Sequence, residues 1–179
     1  FLPRVLMRFE RLSDWLEWQS KLHPSAMDLG LERCSKVAKR LGLDSLDAQV
    51  VSVAGTNGKG SCVVTIEAML RAAGQSVGAY LSPHLSRYNE RIRINGEDAE
   101  DELLVEVFSL VDEARSGTSL TFFEFGTLAA VLLFARAKLD VVLLEVGLGG
   151  RLDAVNLFDA DVSVVSAIGI DHVEWLGHD

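Results

Sequence analysis

Apolar residues along this chain recur at two different periods, and the alternation between them divides the sequence into elements. Helical spacing runs through residues 11–22 and again through 29–41, where Leu31, Cys34, Ala38 and Leu41 share one face and Gly42 stands at the end. Val63, Ile66, Leu70 and Ala73 define a further helical face closed by Gly74. Leu103, Leu104, Val107, Val111 and Ala114 do the same within 99–115. Residues 124–138 are so uniformly apolar that they predict a helix buried on most sides. Short β-branched, apolar runs at 49–54, 76–81, 140–146 and 160–166 read as strands, the last two as buried ones. Residues 23–30 read as a loop, and 82–97 as a polar loop with a hairpin at 91–97, turned by Asn95-Gly96. Apolar strands separated by helices predict an α/β fold: a mainly parallel sheet with helices on both faces.

At 179 residues the chain has the size of one domain with its own core. A net charge of −9 argues against a general polyanion-binding surface, so no nucleic-acid partner is expected and any phosphate site must be local. Cys34 and Cys62 lack metal-site spacing and are expected to pack as small hydrophobes with free thiols, which suits a reducing, cytoplasmic setting. The longest apolar run, near Leu128–Ala135, is too short to span a bilayer, and no membrane partner is expected. The opening Phe1 and the end at Asp179 suggest a processed or truncated chain.

The strand at 49–54 runs into Gly55-Thr56-Asn57-Gly58-Lys59-Gly60-Ser61 and then into a helix. Glycines let backbone N–H groups approach phosphate oxygens, a lysine supplies a point charge, and the helix aims its positive end at the same anion. ATP or GTP is therefore the expected ligand. The spacing is irregular: Val53 stands where the usual motif begins with glycine, and the hydroxyl comes one residue late, at Ser61. A parallel sheet gathers ligands beyond its strands' carboxyl ends, which singles out Ser82, His84, Glu145 and Asp171-His172. Glu145 is a charge within an apolar strand, and a Mg²⁺ carried on nucleotide phosphates would match it, a buried ion pair being the alternative. His172 taken alone reads as a surface histidine, with His23, His84 and His178 weaker candidates still. The loop at 147–153 taken alone reads as a flexible tight turn. The Phe122-Phe123-Glu124-Phe125 cluster fits a core anchor or a platform for a planar ligand.

Taken in order, Ala54-Gly55-Thr56-Asn57-Gly58-Lys59-Gly60-Ser61, Ser82-Pro83-His84-Leu85, Asn89-Glu90-Arg91-Ile92, Glu145 through Ala154, and Asp171-His172 with Leu176-Gly177 resemble folylpolyglutamate synthases, in particular the bacterial type that is also dihydrofolate synthase. The resemblance covers nearly the whole chain and explains the late hydroxyl, because the Mur ligase superfamily follows Gly-Lys with two small residues. It implies a P-loop NTPase-like Mur ligase central domain over residues 1–179. The smaller C-terminal Rossmann-like domain and a carbamylated lysine are expected beyond Asp179, so the fragment is expected to bind nucleotide without turning over.

The activity implied is ATP-dependent ligation of L-glutamate to dihydropteroate or a folate through an acyl phosphate, by a monomer. Asn57, Gly58, Lys59, Gly60 and Ser61 would hold ATP, with Lys59 and His172 in catalysis. Ser82 and Glu145 would hold one Mg²⁺ and His172 a second. Pterin contacts would fall on Asp28, Leu29, Gly30, Thr121, Phe122, Phe123, Glu124 and Leu152. Three other readings stay open: a ligase for UDP-linked muramyl peptides, a P-loop nucleotide-binding protein without ligase activity, and a non-catalytic scaffold.

Overall fold

The computed structural model describes residues 7–25 and 28–177; His178 lies outside the described residues. Six strands form one sheet: β1 (Gln49–Ala54), β2 (Val77–Tyr80), β3 (Ile92–Ile94), β4 (Glu97–Asp98), β5 (Val141–Glu145) and β6 (Val162–Val165), in the order β4-β3-β2-β5-β1-β6. β2, β5, β1 and β6 run parallel, whereas β3 and β4 extend the sheet antiparallel from β2. Asn95 (φ 51°) and Gly96 (φ 82°) make the tight turn between β3 and β4, both left-handed as a two-residue hairpin demands.

The helices divide unequally between the two faces. α1 (Leu12–Gln19), α2 (Glu32–Arg40), α4 (Asp101–Arg115) and α5 (Phe122–Ala137) pack on one side, around Trp15, Phe108, Phe125 and Phe134. α3 (Lys59–Ala72) covers the other with Val63, Ile66 and Leu70. β5 serves both cores: Val142 and Leu144 face the first, Val141 and Leu143 face α3. Alternation therefore turns Glu145 toward α3. Full burial of each such branched side chain contributes about 1.5–3 kcal/mol, which makes β5 the anchor of the sheet. No described helix is long and apolar enough to cross a membrane.

Three expectations are corrected. Among the described residues β6 is exposed rather than buried: Val162 and Val165 are 54% and 60% exposed. It pairs with β1 alone, at the sheet edge, and Val164 is its one valine packed against the α3-side core among the described residues. α2 begins at Glu32 rather than near residue 29, because Arg33 binds the backbone carbonyl of Asp28 at 2.7 Å and holds the preceding segment outside the helix. α5 starts two residues earlier than the apolar pattern indicated, at a capping box in which Thr121 Oγ1 accepts from Glu124 N and Glu124 Oε2 accepts from Thr121 N. α6 (Val173–Leu176) and two short 3₁₀ turns, Tyr88–Arg91 and Ala154–Leu157, were not foreseen. Cys34 and Cys62 are both free, and Cys34 is fully buried.

Candidate active site

The strand register brings Ala54 beside Val165, Val53 beside Glu145 and Tyr80 beside Leu144. The segments that follow these strands consequently meet at one edge of the sheet. In the turn after β1, Gly55 (φ 135°) and Gly58 (φ 84°) adopt backbone conformations that a side chain disfavours, and Gly58 caps α3. A Cβ on Gly55 would overlap Ser166 Oγ. That hydroxyl ties the turn down, its one proton shared between Asn57 O (2.8 Å) and Ala54 O (3.2 Å). Thr56 adds a second tie: its hydroxyl donates to Gly169 O and accepts from Gly169 N, both at 2.9 Å. The 14-residue α3 begins at Lys59, so its positive dipole end points into the turn. Lys59 Nζ curls over the turn and donates to Gly55 O (2.8 Å) and Thr56 O (3.3 Å).

Glu145 is 4% exposed, and its Oε2 accepts from Ser82 N at 2.8 Å. Desolvation pushes its carboxyl above the usual carboxylate range, opposed by the Ser82 and Gly60 backbone N–H groups and by the charges of Lys59 and Arg91. A buried carboxylate beside a serine, facing the start of α3, offers hard oxygen donors of the type Mg²⁺ takes. Among the described residues no cluster of three or more His, Cys, Asp and Glu could hold a metal alone. The donor set therefore fits a cation that takes most of its oxygens from phosphate and water. His172 adopts a left-handed conformation (φ 50°) at the start of α6, with its N–H bonded to Asp171 Oδ1 at 2.8 Å and its ring half-exposed.

Two cavities adjoin the turn. One, of about 350 Å³, lies over Gly55 and Thr56 and reaches Gly169 and Asp171. The other, of about 400 Å³, brings together every residue expected to touch a pterin: Asp28, Leu29 and Gly30 on one wall, Thr121 to Glu124 on another, and Leu152. Lys59, Gly147, Leu148 and His172 line both. Asn57, Gly58, Gly60 and Ser61 belong to the same turn without lining either cavity. The phenylalanine cluster divides its labour, with Phe125 fully buried in the core while Phe122 and Phe123 face the larger cavity.

Two charged cavity residues escaped the sequence reading. Asp153, 4% exposed, accepts from Leu148 N (2.9 Å) and Val155 N (3.0 Å) and caps the 154–157 turn. The glycine-rich loop at 147–153 is thus organised around one carboxylate, which desolvation pushes up to about 6. An aspartate just before a short apolar turn was the available N-cap signal. Arg91 lies 5.6 Å from the ring centroids of Tyr88 and Phe122, held by His84, whose Nδ1 accepts from Arg91 Nε at 2.8 Å. His84 thus supports Arg91, and among the described residues it does not line either cavity. The available signal was an arginine directly before the apolar Ile92, although Arg91 itself lies in the 3₁₀ turn that precedes β3.

No protein-family model matches the chain. It is 53% identical over 168 residues to a dihydrofolate synthase/folylpolyglutamate synthase of Escherichia coli K12, covering 94% of this chain and 40% of that protein. The counterpart of Bacillus subtilis 168 is 41% identical over 156 residues, 83% of this chain and 36% of its own. The structure superposes with a TM-score of 0.93 on E. coli FolC in complex with DHPP and ADP, at 52% identity over 95% of this chain and 41% of that one. It also matches a bifunctional folylpolyglutamate synthase/dihydrofolate synthase with Mn, AMPPNP and L-glutamate bound, with a TM-score of 0.89 and 49% identity over 98% of this chain and 43% of that one. Over nearly all of its own length this chain is a homologue of the bifunctional dihydrofolate synthase/folylpolyglutamate synthases, of which it spans about two fifths.

Proposed function

We propose that this chain supplies the nucleotide- and pterin-binding part of an ATP-dependent carboxylate–amine ligase that joins L-glutamate to dihydropteroate or to a folate. One observation carries the reading: Lys59 and His172 line both the cavity over the glycine turn and the cavity walled by Phe122 and Phe123. A triphosphate in the first and a flat aromatic acid in the second would place a γ-phosphate against a carboxylate.

In this reading the substrate carboxylate oxygen attacks the γ-phosphorus and ADP departs, leaving an acyl phosphate. The amine of glutamate then adds to the acyl carbon, loses a proton and expels inorganic phosphate as the amide forms. Bringing two anions together is the main obstacle. Lys59, the dipole of α3 and the backbone N–H groups of the turn offset that repulsion within a partly dry site. Glu145 and Ser82 would hold one Mg²⁺, and His172 a second, supplying further neutralisation of phosphate charge. Phe122 and Phe123 would flank the pterin ring, with Asp28, Leu29, Gly30, Thr121, Glu124 and Leu152 completing the cavity. Residues 1–179 would constitute the nucleotide-binding domain of a monomeric, cytoplasmic enzyme whose cleft a second domain completes, in keeping with relatives about two and a half times as long.

The test is phosphate release from ATP by the full-length protein, with each substrate omitted in turn. Release that requires both L-glutamate and dihydropteroate or tetrahydrofolate is expected. No release with either pterin substrate would sink the proposal, as would release independent of glutamate.

A further inference from the structure

The wall of the larger cavity formed by Asp28, Leu29 and Gly30 is not part of a helix or a strand, yet it is fixed from behind by a continuous polar chain. Arg33, in the first turn of α2, is its centre. Its Nη1 donates to Asp28 Oδ2 at 2.6 Å, and its Nη2 donates both to the Asp28 carbonyl (2.7 Å) and to Glu124 Oε1 (3.1 Å). Glu124 is itself immobilised: its side chain is 5% exposed, and its second oxygen closes the capping box with Thr121 N at 2.8 Å. Both Glu124 oxygens are thereby committed to protein partners. His23 braces the same carboxylate from the other side, with Nε2 3.2 Å from Asp28 Oδ2 and Nδ1 3.0 Å from Ser119 Oγ.

This arrangement ties the first turn of α5, which carries Phe122 and Phe123, to the opposite wall of the cavity. One planar guanidinium spans the gap, and it meets a carboxylate, a carbonyl and a second carboxylate at once. A lysine ammonium is a point donor on a flexible stem and cannot satisfy that geometry. We infer that Arg33 and His23 are positioning residues for substrate recognition, holding the 28–30 segment at a fixed distance from the Phe122–Phe123 wall so that the cavity keeps the width of a flat aromatic ligand. Glu124 acts in the same frame, as the anchor of Arg33. The inference rests on the pterin reading of the cavity given above, and it adds residues that need not touch the ligand.

The experiment measures dissociation constants for dihydropteroate and, separately, for MgATP by calorimetry on the wild-type protein, Arg33→Lys and His23→Ala. Arg33→Lys should weaken dihydropteroate roughly tenfold or more, the consequence of losing a charge-assisted bond and the fork geometry. His23→Ala should weaken it by about threefold, the smaller effect of a single brace. MgATP affinity should stay within about twofold in both, a difference of under half a kcal/mol. Wild-type dihydropteroate affinity in both variants overturns the inference while leaving the pterin reading intact, and so does a parallel loss of MgATP affinity, which would mark these residues as general supports of the fold. If Arg33→Lys does not fold, His23→Ala decides alone: unchanged pterin affinity overturns the inference. A wild-type protein that binds MgATP but no dihydropteroate overturns both the reading of the cavity and this inference with it.

Discussion

Replacing Gly55 by alanine probes whether the glycine turn is held in shape by the strand after it. Two costs are visible. At φ 135° an alanine is strained, which costs on the order of 1–3 kcal/mol. The new Cβ would also overlap Ser166 Oγ, displacing a hydroxyl whose single proton is shared between Asn57 O and Ala54 O, an interaction worth about 0.5–1.5 kcal/mol. Together these predict a loss of roughly 2–4 kcal/mol for Gly55→Ala. Ser166→Ala alone should lose about 1 kcal/mol, the net worth of that interaction. In the double variant the overlapping oxygen is gone and the nearest atoms, Ser166 N and Cβ, lie 3.2 Å from the new methyl, so mainly backbone strain remains. The double variant should therefore lose less than the sum of the two single variants by about 1 kcal/mol or more. Urea unfolding followed by circular dichroism gives all three values, and nucleotide titration of the same proteins should show affinity down about tenfold in Gly55→Ala, as loss of one charge-assisted phosphate contact implies. Strict additivity, or a Gly55→Ala cost below about 1 kcal/mol, would refute the coupling between the turn and Ser166.

Asp153 predicts a pH dependence. Its folded carboxyl is pushed up to about 6 from an ordinary 3.8, so the native state holds more protons than the unfolded chain between those values. Stability should fall as pH rises from about 4 to about 6, by on the order of 3 kcal/mol, and then level off; Asp153→Asn should flatten that slope, as denaturant midpoints across the range would show. At Gly126 a Cβ would stand 2.6 Å from Tyr88 Oη and 3.0 Å from Tyr80 Oη, both tyrosines being buried. Gly126→Ala should cost about 1–3 kcal/mol by overpacking, and adding Tyr88→Phe should restore part of it in the same unfolding assay. Gly147→Ala would put a methyl 2.6 Å from Phe123 Cζ, and displacement of that ring into the larger cavity should weaken dihydropteroate binding in calorimetry, whereas wild-type affinity would show that the ring stays in place.

Much of this architecture is legible in the chain because burial imposes strict periods. β5 is apolar on both faces, and its burial was legible from that run, whereas its place between β2 and β1 is a matter of the tertiary fold; Glu145 stood out because it breaks the run. The glycine turn between β1 and α3 was legible, and its irregular spacing became intelligible only through resemblance to related chains. Three features were hidden for physical reasons. The start of α2 was misplaced because helical periodicity cannot register a tertiary bond, and Arg33 to the Asp28 carbonyl is one. β6 read as buried because apolar content alone does not reveal whether a strand has one neighbour or two. Asp153 was overlooked because its importance comes from desolvation and from N–H groups of a loop whose path no local pattern specifies. The convergence of residues 28–30, 121–124 and 152 on one cavity likewise depends on the tertiary fold.

In the function proposed for this chain, the turn at 55–61 and Glu145 form one metal–nucleotide site. Calorimetric titration with ATP, with and without Mg²⁺, of the wild-type protein and of Lys59→Ala and Glu145→Ala tests it most directly. Binding should require Mg²⁺ in the wild type, be lost in Lys59→Ala, and lose its Mg²⁺ dependence in Glu145→Ala. Binding that ignores Mg²⁺ in the wild type, or that is unchanged in both variants, would contradict the account.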